Sequence, residues 1–464
     1  MRCLRPAERR SPWQRPTDLR FVFAMREHSA SRLQLTKLHC RMFVACAILI
    51  LIDGYDGAVL TYAAPAIAAN LMLDPAAFGP LFAAHLVGTI LGFGPSGSIA
   101  DRRGRRPVII GATLLFTVFT FATATASTFA SILVYRLLTG VGLGAAASNT
   151  LALASEYSPG RCRATVVAAI YSALPMGAVV GGYVAVVLIR LLGWHSVFVL
   201  GGGLGIAALV IALGNIPESI CFLRASGRPA SRVYQILARY GLRPLDVEVY
   251  EEGTGLGSSE SPFKNLFVEA RATGTLALWL TFFVSQLLIY FIFTWTPIVF
   301  KTRGLSSDLG IMASATLNLG GVVGGVCLAR LIDSRGARAV LVASYIVAFI
   351  VISGFGSLAS TQPALVLSAV ALIGFVLNGS NVNLVAVATR FYPTRSRSTG
   401  VGWAMGIGRA GAIVGSLIGG VLLRAKFQLS VLYPLVGSAL LLAALAVWIM
   451  HGRGRSVPVQ AGLN

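Results

Sequence analysis

Asp53 and Asp56 stand three residues apart in Asp53-Gly54-Tyr55-Asp56-Gly57, inside a run from Met42 to Pro65 that carries no other charge. Such a run reads as a membrane-crossing helix. A charge at the centre of one costs roughly 2.5–3.5 kcal/mol, so both carboxylates are candidate functional groups. The i, i+3 spacing puts them on one helix face. Two carboxylates close together in a low dielectric cannot both ionise cheaply, so one can hold a proton near neutral pH, loading it on one side and releasing it on the other. Counting 1.5 Å per residue from Met42 places them roughly 16 and 21 Å deep, near the midplane. The alternative is a structural carboxylate bonded to a neighbouring helix, and the sequence does not rank one aspartate above the other.

Two arginines share that depth. Arg136 lies one to two turns into the fourth apolar window, level with Asp56. A buried guanidinium needs a counter-ion. The expectation is an ion pair with Asp53 or Asp56 that opens on protonation; the alternative is an Arg bonded to helix-end carbonyls. Arg409 sits about ten residues into the eleventh window, and the only acids near the C-terminal windows, Asp308 and Asp333, lie at helix ends. An arginine without an acid of its own suits a substrate carboxylate gripped in a bidentate pair; a partner from the N-terminal half is the alternative. Side chains that could hold a ring are Gln286, Tyr290, Phe293 and Trp295 in the seventh window and Asn378, Asn381 and Asn383 in the tenth. Tyr171 and Asn318 are further candidates. Asn378 and Asn381 are spaced i, i+3, which suits bonding to a hydroxyl. Aromatics at interfacial depth also serve as anchors and packing. His85, alone in the second window, is read as a hydrogen-bonded structural residue before a proton relay.

The elements that must position these groups are spanning helices. Of 464 residues 56% are hydrophobic and 12% charged, with mean hydropathy +0.76; soluble domains carry about 25% charged residues. Twelve apolar windows, at 42–64, 79–99, 108–126, 131–154, 165–190, 196–214, 275–299, 309–332, 339–359, 363–388, 399–422 and 429–450, are each near the length that crosses a bilayer. None alternates as a barrel strand does, so the fold class is an all-α polytopic membrane protein.

The net charge of +21 raises nucleic acid as a partner, but its placement points to lipid instead. With the N-terminus in the cytoplasm, 31 of the 38 Lys and Arg fall on that side. Arg190, Lys301, Arg303, Arg424 and Lys426 fall on the other, and Arg136 and Arg409 within spans. The positive-inside rule then puts both termini in the cytoplasm of a multi-pass protein of the cell (inner) membrane. The first 40 residues lack the apolar core of a signal peptide. Six cysteines and five scattered histidines offer no metal spacing and no nucleophile beside a base, so neither metal, cofactor nor enzyme chemistry is expected.

An internal repeat organises the windows. Asp101-Arg102-Arg103-Gly104-Arg105-Arg106 and Asp333-Ser334-Arg335-Gly336-Ala337-Arg338 both fit D-x-R-G-x-R, 232 residues apart. Pro159 to Thr165 and Pro393 to Thr399 both fit P-x-R-x-R-x-T, 234 apart. Two pairs at nearly one offset imply two six-helix bundles. The chain divides into a basic segment 1–41, a bundle 42–214, a cytoplasmic loop 215–273, a bundle 274–450 and a tail 451–464. Asp101, Arg103, Gly104, Arg105, Arg106, Asp333 and Arg335 are read as conformational gates, with Asp101 capping or pairing with arginines on neighbouring helix ends. Glu156 closes the fourth window and has Arg390 as its repeat counterpart, so a charge network on the cytoplasmic face is expected. Gly402/Gly406, Gly411/Gly415/Gly419 and Gly321/Gly325 have the small-xxx-small spacing that lets helices approach.

The loop Gly97-Ser98-Ile99-Ala100-Asp101-Arg102-Arg103-Gly104-Arg105-Arg106 resembles the signature of the major facilitator superfamily. Arg136 to Gly144 resembles its fourth-helix motif, and Ile216-Pro217-Glu218-Ser219 its signature after helix six. Asp53-Gly54-Tyr55-Asp56, with Gly406 to Gly415 in helix eleven, resembles the aromatic acid:proton symporter family within it. The likeness runs from about Met42 to Met450. It implies the major facilitator fold, a proton-coupling role for Arg136, and import of a small aromatic carboxylate such as benzoate or a hydroxybenzoate together with protons, by a protein expected to be monomeric. Helix five reads Pro175-Met176-Gly177-Ala178-Val179-Val180-Gly181-Gly182, without the Gly-Pro spacing of the superfamily's exporters, which favours uptake. A proton-driven exporter is the alternative, with a membrane sensor behind it.

Overall fold

The computed structural model describes residues 36–158, 163–226, 266–267, 271–302, 304–358, 362–392, 397–425 and 429–452. Both P-x-R-x-R-x-T segments fall largely outside them, as do the basic N-terminal segment and most of the central loop. Twelve helices are long and apolar enough to cross a membrane. They are α1 Lys37–Asn70, α2 Pro75–Arg103, α3 Arg105–Ala124, α4 Phe129–Glu156, α5 Thr165–Leu192 and α6 His195–Asn215 in one half. The other half holds α7 Ala272–Thr302, α8 Ser307–Arg335, α9 Ala337–Phe355, α10 Pro363–Phe391, α11 Thr399–Arg424 and α12 Val431–Met450. All twelve windows are present, and the fold class is the one the repeat implies.

Several helices overrun their windows, because hydropathy marks the hydrocarbon depth while backbone signals decide where a helix stops. Thr36 opens α1 with a capping box to His39. Gly104 and Gly336, the shared glycines of the D-x-R-G-x-R loops, end α2 and α8 at φ +98° and +85°. Glycine takes those angles without strain, which is the physical content of that part of the motif. Helix α10 holds a feature that hydropathy does not show: Gly374–Asn378 is π-helical. That segment shifts the register of the residues after it relative to those before.

Close approach within a half rests on glycine. A Cβ on Gly54 would run into the Leu174 carbonyl of α5, and one on Gly177 into the Leu51 carbonyl of α1. A Gly54→Ala variant should therefore lose about 1–3 kcal/mol of stability through overpacking. The measurement is thermal unfolding of the purified protein in detergent; an unchanged melting curve would show that the α1–α5 contact yields freely.

The halves meet along α2–α11 and α5–α8. At the face opposite the chain ends, Gly79 packs on Ser416 and Leu417, Gly420 on Ala76, and Gly182 on Ala315. Toward the face where α1 begins and α12 ends, the same helix faces part. A Cβ at Gly94, Gly97, Gly402 or Gly406 would meet nothing within 4 Å, so Gly402 and Gly406 border open space and not a close helix contact as their spacing suggests. Tyr171 and Val326, which continue the Gly182 and Ala315 faces, are exposed. The molecule is thus closed at one face and open at the face bearing the chain ends.

Candidate functional site

The centre of the N-terminal half is a buried ion pair. Arg136, fully buried on α4, donates from Nη2 to the Asp56 carboxylate at 3.0 Å and to the Asp56 carbonyl at 2.7 Å. Thr120 of α3 donates to the other Asp56 oxygen at 2.8 Å. Nη2 also lies 3.2 Å from His85 Nδ1. Arginine only donates, so a hydrogen bond between them requires His85 Nδ1 to be unprotonated, shared with the two Asp56 acceptors on the same Nη2. The guanidinium carbon is 5.9 Å from the centre of the Phe198 ring, and its Nε and Nη1 have no hydrogen-bond partner among the described residues. Tyr55, between the aspartates, donates to the Val197 carbonyl at 2.7 Å and ties α1 to α6. Protonating Asp56 would leave Arg136 without its counter-charge in a dry site, which is unstable unless the arginine or its surroundings move.

Asp53, one turn away and half-buried, has no hydrogen bond or ion pair among the described residues. Its carboxylate feels the charges of Arg409 and Asp56. Arg409, arriving from α11, likewise has no ion pair among the described residues, and its guanidinium carbon lies 5.1 Å from the centre of the Phe93 ring on α2. Its charge acts on Asp53, His85 and Tyr290, and Tyr290 in turn on Tyr171 and Asp53. Helices α1, α2, α5, α7 and α11 thus each contribute a group within electrostatic reach of Arg409 or Tyr290. Phe293 extends the aromatic wall, edge-on to Tyr290 and to Tyr62. The group joins a guanidinium and a carboxyl, neither in an ion pair among the described residues, to aromatic side chains.

A second cluster lies at the open face. Arg105 pairs with Glu156 at 2.6 Å and reaches Asn149. Ser219 donates to the other Glu156 oxygen at 2.7 Å. Glu218 accepts from the backbone nitrogens of Arg105 at 2.8 Å, Arg106 at 3.2 Å and Ser219 at 2.8 Å, beneath Gly104, where a Cβ would strike its carboxylate. Arg106 donates to the Leu213 carbonyl. This pins the start of α3 to the ends of α4 and α6.

The sequence profile of the Major Facilitator Superfamily matches residues 46–384 and again 318–462. The chain belongs to the Major Facilitator Superfamily. Relatives of this superfamily member include a protein of Pseudomonas putida named a gallate transporter, 37% identical over 90% of this chain and 93% of the relative. A 4-hydroxybenzoate transporter of Pseudomonas aeruginosa is 35% identical over 84% and 87%. These relatives are transporters, and the chain is a membrane transporter and not an enzyme. Among solved structures, the inward-open xylose transporter of E. coli superposes with TM-score 0.72 at 16% identity, over 89% of this chain and 96% of that one. A crystal structure of a D-xylose-proton symporter gives 0.68 at 18%, over 88% and 97%. At such identities the likeness shows the fold, two six-helix bundles, and nothing more.

The remaining candidates fall in three places. Gln286 packs beside Gly408, the residue before Arg409. Trp295 is buried away from it: its indole donates to the Ser416 carbonyl at 2.9 Å and meets Phe82 edge-on, sealing the closed end of α2–α7–α11. Asn378 covers Gly321 of α8, Asn318 donates to the Ser314 carbonyl, and Asn383 donates to the Gly325 and Gly379 carbonyls, all helix-packing contacts. Asn381 keeps a buried oxygen without a hydrogen-bond partner among the described residues. Asp101, Arg103 and Arg335 are exposed, and Asp101 has no ion pair among the described residues in this open-faced state. Asp333 and Arg390 face each other loosely at 3.6 Å, a pair with the charges reversed relative to Arg105–Glu156. Thr120, Phe93 and Phe198 do not stand out in the sequence, since threonines and phenylalanines abound in apolar helices. Glu218 does carry a signal, as the acid of Ile216-Pro217-Glu218-Ser219.

Proposed function

We propose that this transporter imports a small aromatic carboxylate together with protons, by alternating access across the cell's inner membrane, with both chain ends in the cytoplasm. The observation that carries the reading is that Arg409 and Asp53, opposite charges from different halves with no ion pair among the described residues, feel one another's field, as Tyr290 feels both. A carboxylate ligand satisfies Arg409 through two parallel hydrogen bonds, and its ring lies against the tyrosines. Asp53, Asp56 and Arg136 supply the proton side. Asp56 is bonded to Arg136 and Thr120; loss of its charge releases the arginine and so couples proton loading to rearrangement of α1 against α4. The bound anion closes Arg409 toward the N-terminal half, which joins substrate binding to the rocking of one bundle on the other. The names of the relatives support an aromatic acid as cargo. On this reading the transporter works as a monomer without metal or cofactor, and the loop arginines with Glu156, Glu218 and Asp333 act as the cytoplasmic gate.

Cells expressing the protein should accumulate labelled benzoate, 4-hydroxybenzoate or gallate, and a protonophore should collapse the accumulation. Failure with every aromatic acid removes the substrate class. Accumulation that survives the protonophore removes the coupling, and preloaded cells that extrude the acid faster than controls would establish export.

A further inference from the structure

Arg190 and Arg424 break the positive-inside pattern, and the structure supplies each with an acid from the opposite half. Arg190, in the last turn of α5, pairs with Asp308 in the first turn of α8. Arg424, in the last turn of α11, pairs with Asp74 ahead of α2 at 3.4 Å. Arg190 and Arg424 are 234 residues apart, the spacing of the P-x-R-x-R-x-T copies, and Asp74 and Asp308 are also 234 apart, two more than the D-x-R-G-x-R copies. One ion pair is thus written twice, with its partners exchanged between the halves, at the face where α2–α11 and α5–α8 touch.

We infer that Arg190–Asp308 and Arg424–Asp74 form a two-fold symmetric outer latch, which holds the closed face shut and must open on both sides for cargo to enter from outside. All four side chains keep water contact, with 68% and 31% exposure in one pair and 66% and 55% in the other. Each pair is therefore weak. Weakness suits the role, because a strong latch would trap the carrier in one state. Two weak pairs bias an equilibrium that substrate and protons can still reverse. The duplicated arrangement also balances the load across the pseudo-two-fold axis, so both interfaces part together. Near the chain ends the pairs Arg105–Glu156 and Asp333–Arg390 each join groups of the same half, so they do not oppose separation there.

The inference requires two alternating states and no particular cargo, so its test uses no substrate and stands apart from the aromatic-acid reading. Ala315, fully buried against α5 at Gly182, becomes reachable from outside only when the closed face parts. In intact cells the reaction of an Ala315→Cys variant with a membrane-impermeant maleimide reports outward opening, with the protein lacking that substitution as the background. Breaking one pair with Arg190→Gln or Arg424→Gln should raise the labelling rate about 1.4- to 5-fold, and breaking both should multiply the two effects. The charge swap Arg190→Asp with Asp308→Arg should return the rate to that of Ala315→Cys alone. Raising salt should speed labelling when the latch is intact and leave the doubly neutralised protein unchanged. Labelling in the doubly neutralised protein within about 1.2-fold of the reference, or a swap that restores nothing, overturns the latch. The salt comparison on the intact protein decides the matter even if a charge variant fails to reach the membrane.

Discussion

An Arg409→Ala variant is expected to reach the membrane in normal amount and to lose uptake. The two halves of that expectation have separate physical reasons. Arg409 has no ion pair among the described residues, so deleting it strands no acid of the folded protein beyond the loss of its field at Asp53. Its packing against Phe93 is an interaction of about 0.5–1 kcal/mol, too little to unfold the carrier. A bound carboxylate, by contrast, loses its hydrogen-bonding counter-charge in a partly desolvated site, which costs about 2–5 kcal/mol, or roughly 30- to 4,000-fold in affinity. Arg409→Lys keeps the charge and loses the fork, so it should fall between the two. The measurement is initial uptake against substrate concentration, normalised to protein in the membrane. Uptake at the original affinity in Arg409→Ala would take the arginine out of the seat.

How much of this was legible beforehand depended on the kind of signal. The spans were legible because hydropathy integrates over some twenty residues, and the halves because two loop motifs recur. The meeting of Arg136 with Asp56 was foreshadowed by depth alone: two opposite charges at one level in a single bundle have little choice of partner. Phe93 and Thr120 gave no such signal, since their importance lies in which helix face they occupy once α2 and α3 are packed. Trp295 shows the converse. Its type and window suggested a ring-binding role, yet packing gave its indole to the Ser416 carbonyl at the closed face. The π-helical Gly374–Asn378 turns the asparagines of α10 relative to the first part of that helix through a backbone hydrogen-bond choice that periodicity cannot report, while Asn378 and Asn381 keep their mutual spacing across the start of the α-helical Gly379–Phe391 stretch that follows. The outer ion pairs were visible only as exceptions, basic residues on the wrong side, until the fold placed Asp74 and Asp308 beside them.

Replacing Asp56 by asparagine should separate stability from coupling. The amide of Asp56→Asn carries no charge, so Arg136 is left buried with no counter-ion and with only His85, a backbone carbonyl and a neutral side chain near its Nη2. Removing one partner of a buried pair typically costs about 3–5 kcal/mol, so Asp56→Asn should be less stable in detergent by an amount of that order. Removing the positive charge as well, in Asp56→Asn with Arg136→Met, eliminates the uncompensated cation and should recover much of that stability. Coupling should not recover, because no titrating group remains at that position. Both variants should still exchange internal for external substrate while failing to accumulate it, so that the steady-state ratio does not rise above about 1 in the presence or absence of a protonophore. The drop also reports stoichiometry. A monoanion moving with one proton is electrically neutral and responds to the pH difference alone; a second proton would add a factor of about 50 per 100 mV of membrane potential. Should Asp56→Asn still accumulate substrate in a protonophore-sensitive way, the proton would have to ride elsewhere, and Asp53, which has no ion pair among the described residues and feels the charge of Arg409, is the group left to carry it.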